Sequence, residues 1–342
     1  MIKVTKLGKL LEPTNNSFEI KAVLNPGIYQ EGNTVHMLYR AVDAEGVSSL
    51  GYVKFDGPDK VVERWNQPFM APKKRYESKG IEDPRIMKIG DTIYATYVVH
   101  DGKNAVSAFS SGPDMLHLNR EFIISPKIPY KEAGKIFAYS KLKDDYYFFQ
   151  AFYQNYSGKN ILIWHKDVMF FPEKINGNYF MLQRILPDVQ VVEFEDFSQL
   201  KEKYFWIHYL LDDFQKNVVL EGEHGFENRH VGGGCPPIKT ELGWLLIYHG
   251  TEESNSGRVY HAGAALLDLE NPRKLIARLP YPLFSPTEDY EITGDVNNVV
   301  FPTGTAQFGE DLYIYYGCAD RIIGLAKVSL KELLDELMRN KA

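Results

Sequence analysis

Only two cysteines, Cys235 and Cys318, occur in 342 residues, both in or beside apolar runs. A pair so far apart in a chain this long is no disulfide framework, and both read as buried free thiols. A basic excess is also lacking. The 39 Lys and Arg stand against 45 Asp and Glu, for a formal net charge of −6. Phosphate backbones select basic surfaces, so a nucleic-acid partner is excluded. No run approaches the ~20 apolar residues of a membrane helix. The start, Met1-Ile-Lys-Val-Thr-Lys6, has no apolar signal core. The chain therefore reads as cytoplasmic, or as periplasmic if a leader has been removed from it. The nine histidines include no His-x-His or His-x-x-x-His pair, so no metal is expected. Neither a Gly-x-Ser-x-Gly elbow nor a Gly-Lys-Ser/Thr phosphate loop is present. Helical periodicity is scarce, and its clear instance is the end, Val328 to Met338, with Ser329 as N-cap.

Aromatic residues, by contrast, are plentiful at 13%, as strands and sugar-binding clefts both require. They recur within one unit: a Gly- or acid-containing turn, an aromatic-rich strand, a polar loop and a second strand. The copies begin at Gly32, Gly90, Gly177, Gly243 and Gly309, so they are spaced by 58, 87, 66 and 66 residues. Their second strands begin at Leu50, Ala105, Val189, His261 and Ile323. Several strands per period suit propeller blades, with an irregular β-sandwich as the competing arrangement. No linker or low-complexity stretch divides residues 1–342, so one domain is expected. The long gap leaves room for an insertion around Tyr146–Phe152. The aromatic run from Tyr146 to Tyr153 reads as blade core, with Tyr153 and Tyr156 as sugar-platform candidates at its loop end.

Five segments carry candidate chemistry. Gly80-Ile-Glu-Asp-Pro-Arg85 packs two carboxylates and a guanidinium just before a strand. A carboxylate beside Arg stays ionised, whereas one shielded from it can act as an acid. Arg229-His-Val-Gly-Gly-Gly-Cys-Pro-Pro-Ile-Lys239 reads either as close backbone approach to a ligand or as a tight connection. The others are Lys166-Asp-Val-Met-Phe-Phe-Pro-Glu-Lys-Ile-Asn-Gly177, Gly294-Asp-Val-Asn-Asn-Val-Val-Phe-Pro302, and Leu24-Asn-Pro-Gly27 with Leu38-Tyr-Arg-Ala41.

Together these segments, in this order from about residue 24 to 304, resemble glycoside hydrolase family 130, the β-mannoside phosphorylases and β-1,2-mannosidases. The resemblance implies an all-β fold, a five-bladed β-propeller with a short C-terminal helix. It also implies inverting action on β-linked mannosides without a cofactor. Asp83 becomes the general acid, its proton passing through the mannose 3-hydroxyl. Asn25, Arg40 and Asp295 become mannose contacts, joined as substrate-binding candidates by Glu82, Arg85 and Lys174. The partner is an oligosaccharide, and association into a homo-oligomer stays open.

The nucleophile is the remaining decision. Phosphate needs several cationic donors in a desolvated site. The family pattern places Arg-Asn where this chain has Trp164-His165, and Lys where it has His230. Arg184 and His249 remain, giving an anion-binding set of Arg184, His230 and His249. Water needs a base instead. Glu227 is the first candidate, followed by Glu223 and Glu253. The favoured expectation is thus a hydrolase releasing mannose from the non-reducing end of β-linked, preferentially β-1,2, manno-oligosaccharides. The alternative is a phosphorylase that forms mannose 1-phosphate with inorganic phosphate as co-substrate. A non-catalytic sugar-binding propeller is the third reading.

Overall fold

A computed structural model describes residues 2–341 apart from 141, 159 and 256, and apart from the side chain of residue 213. The described residues form mostly strands, in four sheets, which divide into five antiparallel units. Strand β1 (Thr5–Leu11) precedes the first unit, which holds β2 (Ala22–Glu31), β3 (Thr34–Val42), β4 (Ser48–Asp56) and β5 (Lys60–Arg64). The second holds β6 (Gly80–Ile89), β7 (Thr92–His100), β8 (Ala105–Gly112) and β9 (Asn119–Ile123). One parallel bridge, Ser48 with Gly80, joins these two units. Gly80 has φ +142°, and a Cβ there would lie 2.8 Å from the Ser48 backbone nitrogen, so both space and conformation require glycine. The third unit holds β10 (Lys166–Phe170), β11 (Tyr179–Ile185), β12 (Asp188–Phe194) and β13 (Val218–Leu220). The fourth holds β14 (His230–Gly233) and β15 (Ile238–Thr240), which both pair with β16 (Gly243–Ser254), then β17 (Gly257–Leu267) and β18 (Leu275–Arg278). The fifth holds β19 (Val300–Phe308), β20 (Asp311–Cys318) and β21 (Ile322–Ser329), and β1 completes it by pairing with β21.

The ten strands expected from the repeat lie where the sequence puts them. The aromatic run does not. Tyr146–Tyr153 lies within helix α2 (Asp144–Ser157), which follows α1 (Tyr130–Ser140). Tyr146, Phe149 and Tyr153 recur at helical spacing and are buried, and two aspartates occupy the first turn, where the helix dipole favours them. Shorter helices follow at α3 (Lys203–His208) and α4 (Asp289–Ile292). The C-terminal helix α5 (Leu330–Arg339) is capped as expected, with Ser329 accepting from the Glu332 amide.

A second repeat ties the units together, and it was legible in the sequence. Phe18-Glu19, Tyr76-Glu77, Phe226-Glu227 and Tyr290-Glu291 precede the first strands of four units. Each glutamate is buried and meets a cation on its unit's outermost strand. Glu19 meets Arg64 at 2.9 Å, Glu77 meets Arg120 at 2.6 Å, Glu227 meets Arg278 at 2.8 Å and Glu291 meets Lys6 at 2.5 Å. In three units a second-strand tyrosine also donates to the glutamate: Tyr39 at 2.5 Å, Tyr248 at 2.5 Å and Tyr316 at 2.7 Å. Those rings lie over Gly51, Gly263 and Gly324 on the third strands. Lys6 comes from β1, so the amino-terminal strand supplies the same contact as the fourth strands of the other units.

First strands of different units lie against one another. Gly27 on β2 abuts the Pro84 carbonyl on β6, and Thr303 on β19 donates to the Pro26 carbonyl at 2.8 Å. Gly233 on β14 abuts Met169 on β10, and Gly234 abuts the Pro302 carbonyl.

Candidate active site

The site is built from irregularities in these first strands. Pairing breaks register between Leu24 and Gly27, between Glu82 and Arg85, and between Lys166 and Met169. A bulge re-aims the side chain it carries. Asn25, Asp83 and Asp167 sit there with φ of 48°, 51° and 53°. Of seven described non-glycine residues with positive φ, these three are joined by Ala319 and Asp320 in the turn between β20 and β21. That turn lies beside β2, where the Val23 amide donates to the Arg321 carbonyl at 3.1 Å. Left-handed backbone at non-glycine positions costs on the order of 1–3 kcal/mol each, and here it gathers around one polar cluster.

Asp83 is the centre of that cluster. Its Oδ1 accepts from Asn25 Nδ2 at 2.8 Å and lies 3.6 Å from Arg40 Nη1. No hydrogen bond to Oδ2 occurs among the described residues, so this oxygen is available to a substrate. The neighbouring Glu82 is tied down instead, with Arg40 Nη2 at 3.0 Å and Lys166 Nζ at 3.3 Å. Burial alone would raise its carboxyl, but Arg40 and Lys166 outweigh burial and hold it at about 2. Arg85 turns away from the opening. It donates to the carbonyls of Gly234 at 2.5 Å and Asp83 at 3.0 Å, fixing the backbone that presents Asp83.

Arg184, at the end of β11, is braced from behind. Its Nε lies 3.0 Å from Asp167 Oδ2, and its Nη1 donates to His249 Nε2 at 3.1 Å. Guanidinium only donates, so His249 Nε2 accepts and its neutral ring carries the proton on Nδ1. Burial, then Arg184, pushes the His249 pKa well below its usual value. His230 is also held neutral, by burial and then by Arg184, Arg229 and Arg258. Arg184 Nη2 has no hydrogen-bond partner among the described residues. The Gly-rich motif serves packing: a Cβ on Gly232 would lie 2.3 Å from His249 Cε1 and 2.6 Å from Asp167 Oδ2.

Several candidates fall elsewhere. Glu227, the first base candidate, is one of the repeated buried glutamates. Its Oε2 accepts from the amides of Glu223 and His224 at 3.2 and 3.1 Å, while Oε1 takes Tyr248 and Arg278. Glu223 is exposed and reaches Arg278 Nη1 at 3.4 Å. Glu253 pairs with Arg229 and Arg258. Lys174 lies in the β10–β11 connection, remote from Lys166 and Arg184, with its ammonium 4.2 Å from the Tyr179 ring centroid. Asp295 stands on the rim at 41% side-chain exposure, paired with Lys21 at 3.4 Å. His165 is buried between Ser125 and Gln183 and held neutral at about 4 by burial. Trp164 packs against Tyr153 with ring centroids 4.3 Å apart and the planes tilted by 33°.

Sequence reasoning passed over Lys166, Asp167 and Asp320. The first two open the Lys166-Asp167 motif itself, but their role depends on a bulge that local pattern does not announce. Asp320 is raised to about 6 by burial, with Arg40 opposing and Asp83 adding to the shift.

Comparison with known proteins decides the family. Residues 8–339 match the family model described as beta-1,4-mannooligosaccharide phosphorylase. The chain belongs to glycoside hydrolase family 130. A 1,2-beta-oligomannan phosphorylase of Thermoanaerobacter sp. (strain X514) is 32% identical, over 97% of this chain and 99% of that protein. A beta-1,2-mannobiose phosphorylase of the same organism is also 32% identical, over 97% and 99%. Among solved structures, the beta-1,2-mannobiose phosphorylase from Listeria innocua, in complex with beta-1,2-mannobiose, superposes with a TM-score of 0.73. It is 23% identical and covers 99% of this chain and 100% of its own. This likeness establishes the fold of the family 130 proteins.

Proposed function

We propose that this chain is an inverting phosphorylase that releases mannose 1-phosphate from the non-reducing end of β-1,2-linked manno-oligosaccharides, on a five-bladed β-propeller. The observation that carries the reading is Arg184, fixed by Asp167 and His249 with Nη2 left open beside the Asp83 cluster. Arg229 and Arg258 also lie near His230, each paired with Glu253, so Arg184 is the guanidinium left to meet an anion. A pre-oriented guanidinium suits a phosphate dianion. The hydrolase expectation gives way on two counts. Its first base, Glu227, is engaged on both carboxylate oxygens, and the two relatives at 32% identity carry phosphorylase names. Those names also support the β-1,2 linkage. The propeller reading is supported by the five units, by mutual contact of their first strands, and by β1 completing the fifth unit.

The chemistry follows from the placement. An oxygen of hydrogen phosphate bonds to the anomeric carbon from the face opposite the leaving sugar. The glycosidic carbon–oxygen bond breaks, and the departing oxygen takes a proton that originates on Asp83, relayed by the mannose 3-hydroxyl. The hydrogen carried in by phosphate then restores Asp83. Inversion of a β-linkage yields α-mannose 1-phosphate. Incubation with β-1,2- and β-1,4-mannobiose, with and without phosphate, tests this. Mannose 1-phosphate from the β-1,2 substrate, formed only with phosphate, is expected. Free mannose at equal rate without phosphate overturns the proposal.

A further inference from the structure

Helix α2 carries a feature that the reaction at Asp83 does not use. Its inward face is buried: Phe149 lies against His230 with ring centroids 6.3 Å apart, and Tyr153 packs against Trp164. Its flank exposes Phe148, Phe152 and Tyr156 at 56%, 38% and 75%. These three occupy positions i, i+4 and i+8, so they line one side of the helix over roughly 12 Å. Large apolar side chains left open in a row call for an occupant.

The row is joined to the reaction cluster through partly and fully buried rings. Lys166 holds Glu82, the neighbour of Asp83, at 3.3 Å, and its ammonium lies 5.5 Å from the Trp164 ring centroid. Trp164 meets Tyr153 at 4.3 Å, Tyr153 meets Phe152 at 5.3 Å, and Phe152 stacks on Tyr156 at 6.1 Å with the ring planes 3° apart. Ring contacts thus lead from the carboxylates to solvent. The apolar faces of pyranose rings pack on such aromatic faces, and the amide of Asn155, three residues on from Phe152, can serve sugar hydroxyls. A flat protein partner would want a wider apolar face than this single stripe, flanked by Asp144, Asp145 and Asn155.

We infer that Phe152 and Tyr156 form a platform for the sugar units of a β-linked manno-oligosaccharide beyond the first two, so that this site favours chains over the disaccharide. The inference rests on the proposed activity for its substrate class but is separable from it by experiment. Phe152 and Tyr156 are exposed, so the double variant Phe152→Ala/Tyr156→Ala leaves the core intact. Its phosphorolysis of β-1,2-mannobiose and β-1,2-mannohexaose is compared with that of the unaltered protein. The same two sugars are titrated calorimetrically against Asp83→Asn, with and without the platform substitutions, which reads binding without turnover. The unaltered site is expected to favour the hexaose by about five- to tenfold, from one or two stacked rings. In the double variant that preference disappears while kcat/KM on mannobiose is unchanged. Equal affinity for both sugars in the unaltered site overturns the platform, as does a preference that survives the double substitution. A change from oligomer to smaller species on light scattering, caused by the double substitution, also overturns it and assigns the stripe to a second copy. Length-dependent binding without phosphorolysis contradicts the proposed activity and leaves the platform standing.

Discussion

Replacing Glu227 with Gln separates a structural carboxylate from a catalytic base. The side chain is fully buried, and Arg278, 5% exposed, faces it at 2.8 Å. Gln keeps the shape but removes the charge, leaving the Arg278 guanidinium with Tyr248 Oη at 3.0 Å, the Glu221 carbonyl at 2.8 Å and the exposed Glu223 carboxylate at 3.4 Å. Removing one partner of a buried ion pair typically costs about 3–5 kcal/mol. The retained contacts, Glu223 among them, place the expected loss near the low end, about 3 kcal/mol. Unfolding entropy of about 2.1 cal/mol/K per residue gives roughly 0.7 kcal/mol/K for a chain of this size, so the melting temperature falls by about 4 °C. Turnover of β-1,2-mannobiose by the folded variant, assayed well below its transition, stays within about threefold of the parent. Calorimetry and initial rates read the two quantities separately. An unchanged melting temperature with activity lost by about a thousandfold or more would refute the reasoning and return Glu227 to the role of base.

Three further outcomes follow from the same geometry. Asp83→Asn abolishes turnover while the melting temperature moves little, because Asn25 and Arg40 still find an oxygen at that position; residual activity near the parent level contradicts it. Phosphate at a hundred times its dissociation constant stabilises the native protein by about 2.7 kcal/mol, and Arg184→Met removes that shift on calorimetric titration with phosphate. Asp320, raised to about 6 from its ordinary 3.8, stays protonated in the folded chain where the unfolded chain has ionised. Stability therefore falls on the order of 2 kcal/mol as pH rises from about 4 to 6, and Asp320→Asn flattens that slope in pH-dependent unfolding.

The strands were legible because turn glycines and aromatic alternation are local. The helix over Tyr146–Tyr153 was misread because a run dense in Tyr and Phe matches strand composition, while its buried positions follow a helical period. Asp83 was singled out by its motif, and the structure brings Asn25 and Arg40 against it. Glu227 was singled out as a base by its nearness in sequence to the Gly-rich segment, whereas the structure ties both its oxygens to Arg278, Tyr248 and backbone amides. The aromatic-Glu repeat at residues 18–19, 76–77, 226–227 and 290–291 would have marked it as structural. Lys166 and Asp167 were overlooked because bulges in the first strands, set by contacts between distant units, decide which side chains face the opening.

The identity of the nucleophile is the central claim, and an isotope measurement reads it directly. β-1,2-Mannobiose is turned over in 18O-enriched water containing unlabelled phosphate, and the products are weighed by mass spectrometry. The account predicts mannose 1-phosphate with no 18O on the anomeric carbon. Free mannose carrying one 18O at that carbon, formed as the primary product, would contradict it.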